Sequence, residues 1–77
     1  MKTLTIGRKN CDIILSDRDN SVSRQHARLK ISSNGQCELL DEDSTNGTYV
    51  NKKKIPRKIF ITLHRGDRVI LGRRAEL

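Results

Sequence analysis

Short runs in which apolar and polar residues alternate recur along the 77-residue chain. Such alternation places the apolar side chains on one face of a β-strand. The alternating runs cover residues 3–6, 12–15, 27–31, 37–39 and 59–63, and two further short runs, 48–50 and 69–71, consist of residues that favour β-strands. No segment spaces its apolar residues in the manner of an amphipathic helix. The pattern therefore predicts an all-β protein.

Turn-forming residues separate these runs. Asn34-Gly35 stands between two alternating runs, as is typical of a β-hairpin, and Arg65-Gly66-Asp67 indicates a second turn. Strands that follow one another at such short intervals favour an antiparallel β-sandwich, because parallel strands need longer crossover connections. The inward positions of the runs predict a core of small and aliphatic side chains: Leu4, Ile6, Ile13, Leu15, Ala27, Leu29, Ile31, Cys37, Leu39, Val50, Ile61, Leu63, Val69 and Leu71.

The chain length and composition predict a single domain, residues 1–77, that lies in no membrane. A domain of this size buries only about 60% of its unfolded surface, so we expect modest stability. No apolar run approaches the roughly 20 residues that span a bilayer, and Met1 begins no recognisable signal peptide.

The net charge of +7 predicts long-range attraction to anionic partners. Much of the excess lies in residues 52–58, hereafter the basic connection, which contains Lys52, Lys53, Lys54, Arg57 and Lys58. These cations raise an alternative function, weak binding of nucleic acid or another polyanion. Because the sequence offers no recognition helix and few aromatic residues for base stacking, we prefer to interpret them as a solvated basic surface.

The sequence predicts no catalytic, metal or cofactor site. Cys11, Cys37, His26 and His64 have no spacing typical of zinc ligands, and no nucleophile is paired with a base. We therefore expect the chain not to be an enzyme. The sequence leaves a disulfide between Cys11 and Cys37 open.

Three segments between the predicted strands carry the candidate chemistry: Gly7-Arg8, Ser23-Arg24-Gln25-His26, and residues 44–50, which read Ser-Thr-Asn-Gly-Thr-Tyr-Val. Cations, hydroxyl groups and an amide are the groups that bind a phosphorylated threonine and the main chain beside it. In this order and spacing, the three segments resemble the forkhead-associated (FHA) domain, a reader of phosphothreonine peptides.

The resemblance implies a role for each matching residue. Arg8 and Ser23 would bind the phosphate, and Arg24 would add a second cation. Thr45 would contact the phosphate or support its loop, and Asn46 would hydrogen-bond the peptide main chain. Three residues would support this site: Gly7, His26 as a buried scaffold residue, and Gly47 at a tight turn.

The resemblance extends over about residues 6–72 and implies an antiparallel sandwich of the FHA type, minimal or truncated, within a longer protein. It also implies an intracellular location, cytoplasmic or nuclear, where the cysteines stay reduced. Residues 17–21 and the side chains around Asn46 would select the peptide residues after the phosphothreonine. Lys52 stands where the family often has glycine, and we expect the basic connection to lie at the far end of the sandwich from the phosphate. A sandwich without binding activity is a third alternative.

Overall fold

The computed structural model describes residues 1–16, 18 and 20–77. The described residues form nine strands: β1 (Lys2–Gly7), β2 (Ile13–Ile14), β3 (Ala27–Ile31), β4 (Cys37–Asp41), β5 (Thr48–Val50), β6 (Lys53–Lys54), β7 (Ile61–Leu63), β8 (Val69–Leu71) and β9 (Ala75–Glu76). No helix occurs among the described residues. The prediction of an all-β protein is confirmed.

The strands form two sheets. One has the order β2-β1-β3-β4-β7 and the other the order β6-β5-β8-β9. The predicted hairpin joins β3 and β4, with Gly35 at a φ of 86° and the Ser32 amide donating to the Gln36 carbonyl over 2.8 Å. The second predicted turn, around Gly66, carries the chain from the first sheet to the second. The β-sandwich prediction is therefore confirmed.

One pair of strands differs from the antiparallel expectation. β1 and β2 are parallel, with Ile6 opposite Ile13. The Asp12 side chain accepts a hydrogen bond from the Thr5 amide over 2.9 Å, and the Asp12 amide donates to the Thr5 hydroxyl over 3.0 Å. These local bonds return the chain to the side of β1 after a short loop, so two residues pair in parallel without a crossover helix.

The core lies between the sheets and is aliphatic, as predicted. Ile6, Ala27, Leu39, Val69 and Leu71 are buried, and most of the other predicted core residues are partly buried against them. Among the described residues, the predicted core omits four buried apolar side chains: Val22, Leu40, Ile55 and Ala75. They were missed because Val22 and Ile55 lie in irregular connections and the other two fall outside the alternating pattern.

The basic connection does not stay at the far end of the sandwich, so that expectation is wrong. Asn51 and Lys52 both have positive φ angles, 51° and 70°, and form a two-residue turn that reverses the chain after β5. β6 then runs back beside β5, and the Ile55 amide donates to the Thr48 carbonyl over 2.9 Å. Because β5 is only three residues long, this return brings Lys54 and Arg57 close to residues 44–47.

Both cysteines are free thiols and each is partly buried. The structure therefore does not contain the disulfide that the sequence left open. None of the described residues belongs to a helix long and apolar enough to span a membrane.

Candidate functional site

Arg8, directly after β1, is fixed against the loop that contains Ser23. Its amide donates to the Ser23 carbonyl over 3.0 Å, and its Nε donates to the Val22 carbonyl over 3.0 Å. Arg8 forms no ion pair with a carboxylate of the described residues. The guanidinium is thus fixed at Val22 through Nε, and its terminal nitrogens form no hydrogen bond with the described residues, so they can donate to an anion.

Gly7 and Arg24 lie at the closest approach of these two loops. A Cβ atom on Gly7 would lie 2.1 Å from the Arg24 carbonyl oxygen, so only glycine fits at this position. That carbonyl also accepts a hydrogen bond from the Cys11 thiol over 3.1 Å. The Arg24 side chain itself is exposed. Its main chain therefore joins the loops, and its guanidinium is open to solvent beside them.

Ser23 connects the first two loops to the third. The Thr45 amide donates to the Ser23 hydroxyl over 3.2 Å. Arg8, Ser23 and Thr45 are thus joined in sequence by direct hydrogen bonds, and the Thr45 side chain is exposed. Arginine and hydroxyl groups with this spacing can offer several donors to one tetrahedral anion.

His26 is fully buried beneath these loops, as its predicted scaffold role requires. Its Nδ1 accepts a hydrogen bond from the Ser23 amide over 2.9 Å, so the proton lies on Nε2, which donates to the Gly47 carbonyl over 2.8 Å. Burial lowers the pKa of His26 below its usual 6.5, although the Gly47 carbonyl and the Asp41 carboxylate act in the opposite direction. The neutral ring therefore bridges two of the candidate loops.

Asn46 projects from the third loop toward Ser21. Its side-chain nitrogen donates to the Ser21 carbonyl over 3.0 Å, and its side-chain oxygen accepts no hydrogen bond from the described residues. Ser21 is buried, and its hydroxyl accepts a hydrogen bond from the Arg73 amide over 2.9 Å. The amide of Asn46 is thus oriented with an acceptor available to a main-chain N–H group of a ligand.

Asp41, the last residue of β4, organises the third loop and was not identified from the sequence. Its buried carboxylate accepts hydrogen bonds from the hydroxyls of Ser44 and Thr48, over 2.6 and 2.8 Å, and from the Ser44 amide over 3.3 Å. The Ser44 hydroxyl in turn accepts a hydrogen bond from the Gly47 amide over 3.0 Å. Aspartate side chains often hydrogen-bond main-chain groups of the turn beside them, and an aspartate at the start of this polar turn was the available signal.

Gly47 completes that turn with a φ of 87°, as its predicted supporting role requires. A Cβ atom here would lie 2.8 Å from Cε of Lys54, a residue of the basic connection. The Arg57 guanidinium donates to the Ser44 carbonyl over 3.1 Å and lies 3.4 Å from a carboxylate oxygen of Asp43. The basic connection therefore contacts the candidate site, which the sequence analysis did not anticipate.

The charges of the basic connection are only partly available to an external anion. Lys58 pairs with Glu42 over 2.9 Å, and Arg57 lies 3.7 Å from Asp41 as well as near Asp43. Hydrogen bonding to Lys58 is the main cause that lowers the pKa of Glu42, and Arg28 adds to it. Lys52, Lys53 and Lys54 are exposed and form no ion pair with the described carboxylates.

The described residues offer no cluster of three or more potential metal ligands. Of the predicted site residues, Arg8, Ser23, Thr45 and Asn46 are brought together by the contacts above, and Arg24 lies at their edge. Residues 17 and 19 of the predicted selectivity segment lie outside the described residues. Ser21, from the same segment, contacts Asn46 directly.

A family model described as the FHA domain matches residues 4–72. Among curated proteins, nibrin from Rattus norvegicus is 36% identical over 76 residues, an alignment that includes 87% of this chain and 10% of nibrin. The oxoglutarate dehydrogenase inhibitor of Corynebacterium efficiens is 42% identical over 72 residues, with 92% of this chain and 46% of the inhibitor aligned. The chain thus spans less than half the length of these curated relatives.

The fold is also similar to a solved structure that contains a phosphorylated ligand. The N-terminal FHA domain of S. cerevisiae Rad53p, in complex with a phosphothreonine peptide, is 32% identical and superposes with a TM-score of 0.80. The match includes 92% of this chain and 56% of the Rad53p chain.

Proposed function

Because the chain belongs to the FHA domain family, we propose that it is a phosphothreonine-dependent protein interaction module that recruits or regulates partners in kinase signalling. One observation carries the proposal: Arg8, Ser23 and Thr45 are linked by direct hydrogen bonds at a surface where Arg8 pairs with no described carboxylate. A phosphate group would supply the missing negative charge.

In this proposal each residue acts through groups that its present contacts leave available. The Arg8 guanidinium and the Ser23 and Thr45 hydroxyls donate to phosphate oxygens, and Arg24 adds a solvent-exposed positive charge. Asn46 accepts a hydrogen bond from the peptide main chain while its nitrogen remains on Ser21. Gly7, His26 and Gly47 hold the three loops in register.

These contacts support a transient interaction. Each charge-assisted hydrogen bond contributes about 1.5–3 kcal/mol net, and the peptide loses conformational freedom when it binds. Three or four such bonds are consistent with a dissociation constant on the order of micromolar. A dissociation constant of this size makes the complex reversible, which suits signalling.

We further propose that residues 1–77 form one binding domain of a longer intracellular protein, cytoplasmic or nuclear, and that the domain is not an enzyme. Its partner is a threonine-phosphorylated protein segment. Nucleic-acid binding through the basic connection is the less favoured function, because Arg57 and Lys58 are already paired with carboxylates.

The decisive test is the titration of the domain with a degenerate threonine-centred peptide library in phosphothreonine, phosphoserine and unmodified forms, read by fluorescence anisotropy at physiological salt. We expect binding of the phosphothreonine form, weaker binding of the phosphoserine form, and none of the unmodified form. Arg8→Ala and Ser23→Ala should each abolish binding, and circular dichroism should show that both variants remain folded.

Arg65→Ala is the matched control for charge. Arg65 is exposed in the turn between β7 and β8 and forms no ion pair with the described carboxylates. This variant should bind the phosphopeptide as the unaltered domain does. Equal affinity for the phosphorylated and unmodified libraries would refute the proposed function.

A further inference from the structure

The outer face of the four-stranded sheet carries a groove that begins at Asn46. Tyr49 and Ile70 are opposite each other in β5 and β8, and their neighbours Thr48, Val69 and Leu71 are buried. Because side chains alternate along a strand, Tyr49 and Ile70 project away from the core. With Asn46, Lys52, Gly72 and Arg73 they line an open groove of about 440 Å³.

The groove continues along β8. Lys52 and Ile70 also line a second depression of about 340 Å³, which extends to Asn51 and Arg68. From Arg68 to Gly72 the chain advances four residues, or about 13 Å at 3.3 Å per residue. An extended segment of about four residues can therefore lie along the whole groove.

Uncompensated positive charge borders this groove. Lys52 and Arg73 are exposed and form no ion pair with the described carboxylates, and Lys54 lies on the other side of Tyr49. The carboxylates near the groove, including Glu76 opposite Ile70, already have partners. Glu76 accepts two hydrogen bonds from Arg68, each 2.9 Å long, and Asp67 accepts from the Asn51 side chain over 2.9 Å and the His64 amide over 2.7 Å.

We propose that this groove binds an acidic segment of the phosphorylated partner, located after the phosphothreonine and beyond the residues that contact Asn46. Asn46 belongs both to the candidate phosphopeptide site and to the groove lining, so the two surfaces are continuous. Aspartate and glutamate side chains would pair with Lys52 and Arg73, and their aliphatic parts would pack on Tyr49 and Ile70. This inference rests on the proposed function.

Three peptides of equal length distinguish the two proposals. Each carries about six residues after the central threonine, enough to extend past Asn46 and along the groove. The first has phosphothreonine and an Asn/Gln tail, the second phosphothreonine and an Asp/Glu tail, and the third unmodified threonine and the Asp/Glu tail. We expect the second to bind roughly three- to tenfold more tightly than the first, as two exposed ion pairs allow, and the third to bind much more weakly.

Two double variants test whether Lys52 and Arg73 cause the preference for the acidic tail. Lys52→Gln with Arg73→Gln should remove the preference for the acidic tail and leave the affinity for the neutral-tail phosphopeptide unchanged. Lys2→Gln with Arg65→Gln removes the same charge from exposed positions that do not line the groove, and should retain the preference.

Equal affinities for the two phosphorylated peptides would overturn the groove proposal while leaving the phosphothreonine function intact. Equal affinities for the phosphorylated and unmodified acidic peptides would overturn the proposed function. If Lys2→Gln with Arg65→Gln lost the preference for the acidic tail as fully as Lys52→Gln with Arg73→Gln, net charge and not the groove would explain that preference. A single-stranded oligonucleotide that binds more tightly than the acidic phosphopeptide, and only through Lys52 and Arg73, would assign the groove to nucleic acid instead.

Discussion

His26 joins two loops through opposite sides of one neutral ring. Nδ1 must be unprotonated to accept from the Ser23 amide, while Nε2 must carry its proton to reach the Gly47 carbonyl. A second proton would turn Nδ1 into a donor that faces another donor. Among the described residues, the carboxylate paired with His26 is Asp41, which lies 3.8 Å from Nε2 and already accepts from Ser44 and Thr48. The geometry therefore disfavours the charged ring at this position.

This geometry predicts a loss of stability in mild acid. The pKa of His26 in the folded domain lies below 6.5, so at intermediate pH the unfolded chain binds more protons than the folded one. The stability that His26 provides is present above pH 6.5 and is lost as the pH falls through 6.5 towards the lower folded pKa. Urea denaturation at several pH values should show a falling free energy of unfolding over this range, before the carboxyl groups of Glu42 and Glu76 titrate, since the pKa of each is lowered from 4.5.

Two histidine substitutions make that prediction specific. His26→Gln should remove the loss of stability just below pH 6.5, and should itself cost about 1–3 kcal/mol at neutral pH because it disturbs a buried hydrogen-bonded group. His64→Gln changes an exposed histidine and should retain the wild-type pH dependence. A wild-type stability that is constant between about pH 7.5 and pH 5 would contradict the argument.

At the scale of elements, the return of the basic connection stabilises the loop that contains Thr45 and Asn46. The main chain at Arg57 forms a β-bridge with Asp41, and the Lys58 amide donates to the Asp41 carbonyl over 2.8 Å. The Arg57 side chain then donates to the Ser44 carbonyl. Arg57 is thus a positioning residue: it holds the loop in place, and among the described residues no hydrogen bond or ion pair joins its side chain to Arg8 or Ser23.

We therefore predict that Arg57→Ala weakens phosphopeptide binding by roughly three- to tenfold and lowers the free energy of unfolding by about 1 kcal/mol. The loss of one hydrogen bond and of partly exposed ion pairs accounts for an effect of this size. Anisotropy titration and urea denaturation measure the two quantities.

Lys58→Ala provides the comparison for Arg57→Ala. It removes the same charge from the adjacent residue, but its side chain pairs with Glu42 instead of with the loop. Its affinity for the phosphopeptide should remain close to that of the unaltered domain. If both variants weakened binding equally, the effect would come from charge and the positioning role of Arg57 would be wrong.

The sequence predicts the longer strands, and it names loop residues that the fold brings close together, because both depend on local patterns. Alternation identifies β1, β3 and β4, a run of β-forming residues identifies β8, and Asn34-Gly35 identifies a hairpin. The two-residue strands β6 and β9 carry too few residues to show alternation. The supporting role of Arg57 depends on how the turn at Asn51 and Lys52 redirects the chain, and no local pattern contains that information.

At the scale of the whole molecule, one small core supports both sheets. The buried cluster draws residues from both sheets and from the connections, so neither sheet has a core of its own. Domains of this size have a free energy of unfolding of only about 4–12 kcal/mol. Truncation of one fully buried leucine costs about 2–5 kcal/mol, which is a large part of that total. Variants of the binding loops are therefore informative only when their folding is measured alongside their binding.

The net charge of +7 acts on the same scale and predicts how ionic strength affects binding. The molecule measures 36 × 26 × 20 Å, comparable with a screening length of about 30 Å at 0.01 M salt but much larger than about 8 Å at 0.15 M. At low salt the entire positive surface attracts a phosphopeptide, whereas at physiological salt only the cations near the site do so.

Stopped-flow measurements should show an association rate that falls roughly tenfold or more between these concentrations, while the dissociation rate changes much less. Lys2→Gln with Arg65→Gln should slow association at low salt only. A dissociation rate that carries most of the salt dependence would show instead that contacts within the site, and not the overall charge, control binding.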